Sequence, residues 1–334
     1  MKVSVVIVNW NGLATLSECL AGLAAQTAAP HQVLVVDNGS QDGSVEFLAN
    51  QTIIPLKIIA LEKNFGFAGG NNAAFPYITG EVVALLNNDA IPQPTWISSV
   101  LEHFNRPHIG MVACQIVRIS NPAVMDKAGH LIYPDGLNRG LGTGAAAALF
   151  QEPREVLWPD GCAAFYAKSL LDKIGFFDED FFLYGEDADL GFRARWAGAG
   201  CLYEPKSLVY HHHSASLGKF SPQKAYYIER NRIWVLIKNF PLSWILISPI
   251  FTLMRYCMNG VSMLSGKGSA AGFEKAHGKG PLLKALFMAL WHGSLGIPKM
   301  IKKRRQMVRS ISGKAMKRLL RQHMIRLKEI TLVD

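Results

Sequence analysis

A chain of 334 residues, 49% of them hydrophobic, is long enough to bury one sizeable α/β core and carry an appendage, which excludes a disordered chain. Its formal net charge of +10 lies largely after Lys299, and a basic tail of this kind points to an anionic partner surface. Five widely spaced cysteines without a C-x-x-C pair exclude a disulfide framework and a cysteine zinc site, and fit a reducing cytosol.

The chain runs from Met1-Lys2 straight into an apolar segment, 3–8, too short for a spanning helix and without a cleavage-site pattern. It predicts a buried strand and no signal peptide. A helix over 13–25, a strand over 32–36, a helix over 44–50, a strand over 56–60, helical pattern over 71–77 and a strand over 81–86 follow. This alternation predicts an α/β fold, a doubly wound, mostly parallel sheet with helices on both faces. Such sheets bind ligands beyond the carboxyl ends of their strands. This chain places Asn9 and Asn11, Asp37 and Asn38, and Asn87 to Asp89 at those ends.

Residues 109–210 read as strands and loops, with the Gly/Ala-rich stretch 129–148 expected as a mobile loop. Acids and aromatics then crowd 176–193. Glu186 and Asp187 fall at a helix start beside Phe181-Phe182-Leu183-Tyr184, an apolar setting in which carboxylates mark a candidate active site. Asp189 and Arg193, at i,i+4, read as a local salt bridge. A strand-like run ends in His211-His212-His213, with His211 and His213 on one face. From Ala225 the character changes. The stretch 233–264 is strongly apolar, and its charge-free run between Lys238 and Arg255 is shorter than the roughly 20 residues a simple span needs. A Gly/Lys-rich linker over 266–280, a second apolar run over 285–297 and the basic tail complete the chain. The expected division is therefore 1–235 and 236–334, the second part helical and membrane-associating.

Four segments carry chemistry. Asp89, delivered by a strand and flanked by Asn87 and Asn88, suits a divalent cation that also grips phosphate; an Asx turn is the alternative. Asp37 at a strand end suits a base or ribose, against a turn and N-cap. In Asn64-Phe65-Gly66-Phe67-Ala68-Gly69-Gly70-Asn71-Asn72 the glycines permit close backbone approach, and a following helix start accepts phosphate. One of the histidines is a candidate metal ligand, against a solvated polar turn. Together they fit group transfer from a nucleoside diphosphate.

With these motifs in order, the sequence resembles family-2 glycosyltransferases of the GT-A fold, and most of all their bacterial rhamnosyltransferase branch. The segments that match are Val-Ser-Val-Val-Ile-Val-Asn-Trp-Asn-Gly, Val-Asp-Asn-Gly-Ser-Gln-Asp-Gly-Ser, the Asn64–Asn72 stretch, Leu-Leu-Asn-Asn-Asp, the Phe176–Leu190 acid segment and Tyr-His-His-His-Ser-Ala-Ser. The resemblance covers about residues 1–235, and Arg230-Asn231-Arg232 and the remainder match more loosely. It implies a donor site of Asn9, Asn11, Asp37, Asn38, Asn64, Gly66, Gly69, Gly70, Asn71 and Asn88. It implies a Mg2+ or Mn2+ site at Asp89 and His211, with His213 second, and Asp187 as catalytic base with Glu186 beside it. Trp158 and Asp160 are then expected to border the acceptor.

The implied reaction is one inverting displacement on a nucleotide sugar, rhamnose from dTDP-rhamnose, with a lipid-linked saccharide as acceptor. A UDP-hexose or UDP-galactofuranose donor is the near alternative. The apolar and basic C-terminal segments fit attachment to an anionic leaflet at the cytoplasmic face of the inner membrane, against packing on the core or a homo-oligomer. A nucleic-acid-binding protein is the reading from another class; it is disfavoured because the basic residues follow apolar helices and are not interleaved with a recognition motif. A nicotinamide oxidoreductase is disfavoured because Asn9-Trp10-Asn11-Gly12 replaces the first-turn glycine fingerprint.

Overall fold

The computed structural model describes residues 1–212, 220–266 and 268–332. The first half alternates as the sequence predicts: β1 (Val3–Asn9), α1 (Leu13–Ala24), β2 (Gln32–Asp37), α2 (Ser44–Asn50), β3 (Lys57–Ala60), α3 (Gly66–Ala74) and β4 (Val82–Asn87). Then come β5 (Ala90–Pro92), β6 (Ile109–Arg118), β7 (Asn121–Lys127), β8 (His130–Ile132), β9 (Asn138–Gly140), β10 (Arg154–Glu155), β11 (Ala163–Ala167), α4 (Lys168–Ile174), α5 (Glu186–Trp196) and β12 (Gly200–His211). The C-terminal part is helical: α6 (Pro222–Asn239), α7 (Leu242–Ser265), α8 (Gly268–His277), α9 (Lys279–Leu295), α10 (Ile297–Arg305), α11 (Gly313–Gln322) and α12 (Leu327–Leu332).

The main path of the large sheet is β10-β12-β6-β11-β4-β1-β2-β3. The block β4-β1-β2-β3 is parallel, while β11 runs antiparallel between β4 and β6. Period-two alternation sorts side chains onto two faces. Val5 and Ile7, Val33 and Val35, Ala84 and Leu86 pack with Leu16, Leu20 and Leu23 of α1. Val6, Leu34, Val36, Val83 and Leu85 face the opposite core, which also holds Ala68 of α3 and Leu190 and Phe192 of α5. The strands are buried on both sides, so they read as continuous apolar runs.

Two expectations are corrected. The stretch 129–148 is not a loop: it forms the hairpin β8–β9, and Ile132 exchanges backbone bonds with His323 and Ile325 of the C-terminal part. The stretch 266–280 is not a linker, because α8 and the start of α9 occupy it.

The C-terminal helices are part of the core. A division at 235 falls inside α6, whose Asn239 carbonyl accepts from the Trp196 indole and whose Lys238 bridges Asp178 and Asp189. Asp189 does pair with Arg193 as expected, at 2.8 Å, but it is fully buried and no surface cap. On α7, Arg255 meets Asp135 of the β8–β9 turn at 2.6 Å and Glu229 of α6 at 3.0 Å, and Arg232 meets Glu229 at 2.5 Å. All four charges are buried, so each needs the others, and loss of one partner costs about 3–5 kcal/mol. The basic tail is also partly internal. Lys303 bonds Asp178 and Asp180, Lys299 bonds Asp180, Arg304 donates to the carbonyls of Ile237 and Lys238, and Arg309 lies over Trp196.

Candidate active site

Where β4 ends, Asn87 leads to Asn88 and Asp89, and β5 begins at once. Strand β12 pairs antiparallel with β5, setting His211 opposite Ala90. That register brings the Nε2 atom of His211 to 3.3 Å from Oδ1 of Asp89. Asp126 on β7 accepts from the other ring nitrogen, Nδ1, at 2.8 Å and so fixes the imidazole with Nε2 toward Asp89. Asp89 is buried. Burial would raise the Asp89 carboxyl, but the hydrogen bond and charge of His211 hold it below its ordinary value. One carboxylate oxygen and one imidazole nitrogen thus converge on one buried spot, a donor set that fits a divalent metal. His213 lies outside the described residues.

The same cavity, about 280 Å3, is lined by Asp89 and His211 on one side and by Asp160, Glu186 and Asp187 on another. Helix α5 begins at Glu186, where its dipole favours carboxylates. Asp187 Oδ2 lies 3.3 Å from Nε2 of His130, which also contacts Asp160 at 2.9 Å; Lys127 reaches Asp160 at 2.6 Å. Burial opposes charge on His130, but its hydrogen bonds to Asp160 and Asp187 prevail and push the ring up to about 9. Burial likewise opposes charge on Asp160, yet Lys127 and His130 hold its carboxyl well below the usual carboxylate range. Glu186 differs: burial, then the charge of Asp187, push it well above the ordinary value, so it keeps its proton. Of the two adjacent acids, Glu186 is thus buried and pushed up, while Asp187 bonds His130 and lines the cavity. His130, Asp160 and Asp187 also offer ligand atoms within 4.8 Å of one another. There the Lys127 ammonium already serves as counter-cation.

The expected donor residues divide into two groups. Asn9 donates to Asp37 at 3.0 Å and accepts from Asn88 at 2.8 Å, which ties the ends of β1, β2 and β4 into one polar floor. Asn11, in left-handed conformation, accepts from the Gln41 amide at 2.8 Å. A side chain at Gly12 would collide with Asn88. The second group makes contacts within the protein. Asn38 donates to Asn64 and to the Gly66 carbonyl, and Asn71 donates to the Phe67 carbonyl. The segment Gly66–Asn71 is not a phosphate loop preceding a helix; it is the first two turns of α3. A side chain at Gly70 would meet Val8 at 2.6 Å and one at Gly69 would meet the Phe65 side chain at 2.7 Å, so these glycines serve close packing of α3.

Trp158 is fully buried, packed on Phe192 and stacked on His130, so it presents no face to an acceptor. Asp160 does line the cavity. Sequence reasoning missed Asp126, Lys127 and His130. A lone His in a Gly/Ala-rich stretch, close after an Asp-Lys pair, was the available signal.

The family model Glycosyl transferase family 2 matches residues 4–175. The pre-mycofactocin glycosyltransferase of Mycobacterium tuberculosis is 31% identical over 224 residues, 66% of this chain and 44% of that protein, so the match spans less than half of this relative. The N-acetylglucosaminyl-diphospho-decaprenol L-rhamnosyltransferase of the same species is 29% identical over 240 residues, 64% of this chain and 77% of that one. Among solved structures, GalNAc-T7 with UDP, GalNAc and Mn2+ aligns with a TM-score of 0.60 at 13% identity, over 89% of this chain and 58% of that one, a likeness of fold. With the strand-end polar floor, the Asp89–His211 pair and the Glu186–Asp187 helix start already in place, the match over more than half of the chain makes this protein a member of the family-2 glycosyltransferases, with a GT-A fold.

Proposed function

We propose that this glycosyltransferase inverts the anomeric centre of a nucleoside-diphosphate sugar, rhamnose from dTDP-rhamnose, as it moves the sugar to a hydroxyl of a lipid-linked saccharide in cell-surface polysaccharide synthesis. The observation that carries the reading is the shared cavity, which Asp187, Asp89 and His211 all line. The acceptor oxygen attacks the anomeric carbon while Asp187 takes its proton. The bond to the diphosphate oxygen breaks on the opposite face, and the nucleoside diphosphate departs with the bonding pair. Asn9, Asp37 and Asn88 hold the nucleoside end. Asp89 and His211 would hold a Mg2+ or Mn2+ ion, which when bound offsets diphosphate charge. A rhamnosyl donor and a lipid-diphosphate acceptor are supported by the 29% identical relative, an N-acetylglucosaminyl-diphospho-decaprenol L-rhamnosyltransferase.

The test is turnover and binding with dTDP-rhamnose, UDP-glucose, UDP-galactose, UDP-galactofuranose and GDP-mannose, each with and without Mn2+ or Mg2+. A selective response to dTDP-rhamnose is expected. A response confined to a UDP-sugar would keep the mechanism and discard the rhamnosyl donor.

A lipid-linked acceptor requires the cavity to reach a membrane, and α7 supplies a face for it. Among the described residues no helix is long and apolar enough to cross a membrane. Leu242, Leu246, Ile250, Leu253, Val261 and Leu264 nevertheless form one exposed stripe along α7, with Leu246 80% and Leu264 90% accessible. The only charge on α7, Arg255, is turned inward. Exposed Leu283, Phe287, Trp291 and Leu295 repeat the pattern on α9, near Lys284. Such faces fit attachment in the plane of an anionic leaflet. Wild-type protein is expected to sediment with phosphatidylglycerol vesicles. Leu246→Glu with Leu253→Glu should weaken this by about 10²–10⁴-fold, at about 1.5–3 kcal/mol for each buried Leu. Wild-type protein left in the supernatant would remove the membrane assignment.

A further inference from the structure

The loop that delivers Asp187 has an unusual backbone. Phe182, Tyr184 and Gly185 all have positive φ, at 64°, 65° and 86°. Phe182, with ψ of −65°, forms a tight γ-turn closed by the Leu183 amide on the Phe181 carbonyl at 2.7 Å. A conformation that side chains avoid persists only where surroundings fix it.

The fixing groups come from α6. The fully buried Asn231 amide donates to the carbonyls of Phe181 at 2.8 Å, Leu183 at 3.0 Å and Tyr184 at 2.5 Å. Arg230 Nε donates to Asn231 Oδ1 at 2.8 Å, which turns the amide nitrogen toward the loop, and its Nη2 donates to the carbonyls of Asp180 and Phe181. Tyr227 stacks on Phe182 with ring centroids 5.4 Å apart. Gly185 has no side chain where one would crowd Asn231 at 3.2 Å. On the other side the Phe182 carbonyl accepts from the Ala68 amide, and a side chain at Gly66 would meet that oxygen at 2.2 Å. The loop is thus wedged between α3 and α6, with α5 starting one residue beyond it.

We propose that Asn231, seated by Arg230, is a positioning residue for the transfer reaction: it holds 181–185 in the conformation that aims Asp187 at the acceptor hydroxyl. The inference rests on the reading of Asp187 as base. It gives the C-terminal part, beyond the matched residues 4–175, a direct share in the chemistry.

The experiment is steady-state kinetics of full-length Asn231→Ala, Asn231→Asp and Arg230→Gln, with Asp187→Asn in parallel. Asn231→Asp keeps shape but faces three carbonyl oxygens with a carboxylate. Misplacing a reacting group by about 1 Å costs about 10²-fold, so kcat should fall by about that factor for both Asn231 variants, with donor KM within about threefold. Arg230→Gln, which leaves the buried amide in place, should lose about tenfold and serves where an Asn231 variant does not fold. A folded Asn231 or Arg230 variant with wild-type kcat, or one that loses donor KM instead, overturns the proposal. If Asp187→Asn itself stays active, the base assignment falls first.

Discussion

An Asp187→Asn enzyme is expected to lose transfer by about 10²–10⁴-fold in kcat while binding donor with near wild-type affinity, because a positioned general base contributes about that much. The substitution is isosteric, and the amide oxygen still accepts from His130, 3.3 Å away in the native protein. Geometry is kept and basicity is lost. Glu186→Gln makes the contrast. Glu186 is buried and already neutral, so an amide there should change kcat by less than about tenfold. Glu186 also has a consequence for stability. The folded-state pKa of Glu186 is raised above its ordinary value of 4.5, so the folded state keeps a proton that the unfolded state releases. Its contribution is fully present below pH 4.5 and is lost as pH rises above that value. Glu186→Gln removes this loss, and its Tm should exceed that of the wild type at pH 7 by more than at pH 5. A Glu186→Gln enzyme as inactive as Asp187→Asn, or donor affinity lost in a normally stable Asp187→Asn enzyme, would count against the assignment of the base.

The residues at the strand ends were legible because a parallel β-α-β alternation dictates where ligands go, and Asn9, Asp37 and Asp89 stand there. The start of α5 was legible from its acids. What periodicity does not encode is the antiparallel pairing of β12 with β5, which places His211 against a residue 122 positions earlier in the chain, Asp89. Asp126, Lys127 and His130 were hidden for the same reason: they act across the sheet on partners at Asp160, Asp187 and His211. Glycine misled in two places. Gly69 and Gly70 read as a phosphate loop because a glycine run marks any close backbone approach, and here the approach is of helix to strand. Composition alone read 129–148 as a loop, whereas β8 pairs with β9 and its Ile132 backbone bonds the C-terminal part. The C-terminal apolar run reads as shorter than a simple span needs, and its inner face, built on Arg255, Glu229 and Asp135, comes from charges dispersed through three segments.

The other large effect concerns Asp89. Its carboxylate is the single one in the strand-end run Asn87-Asn88-Asp89. The imidazole of His211, oriented by Asp126, faces it. Removal of the single carboxylate should therefore be nearly complete in effect. Asp89→Ala is expected to abolish the metal-dependent part of donor affinity and to lower Mn2+ binding, measured by calorimetry without donor, by more than about 10²-fold. Asp126→Asn keeps the imidazole but weakens its orientation, and should cost about 10–100-fold in metal affinity. EDTA should abolish wild-type turnover, with recovery on addition of Mn2+ or Mg2+. Wild-type turnover unchanged by EDTA would sink the metal assignment. Metal affinity unaffected by Asp89→Ala but lost in Asp160→Ala would move the site to the His130, Asp160 and Asp187 group, where the ion would have to displace Lys127. Loss of metal affinity in Asp89→Ala is the expected outcome, because Asp160 already has Lys127 as its counter-charge, whereas Asp89 faces the imidazole of His211.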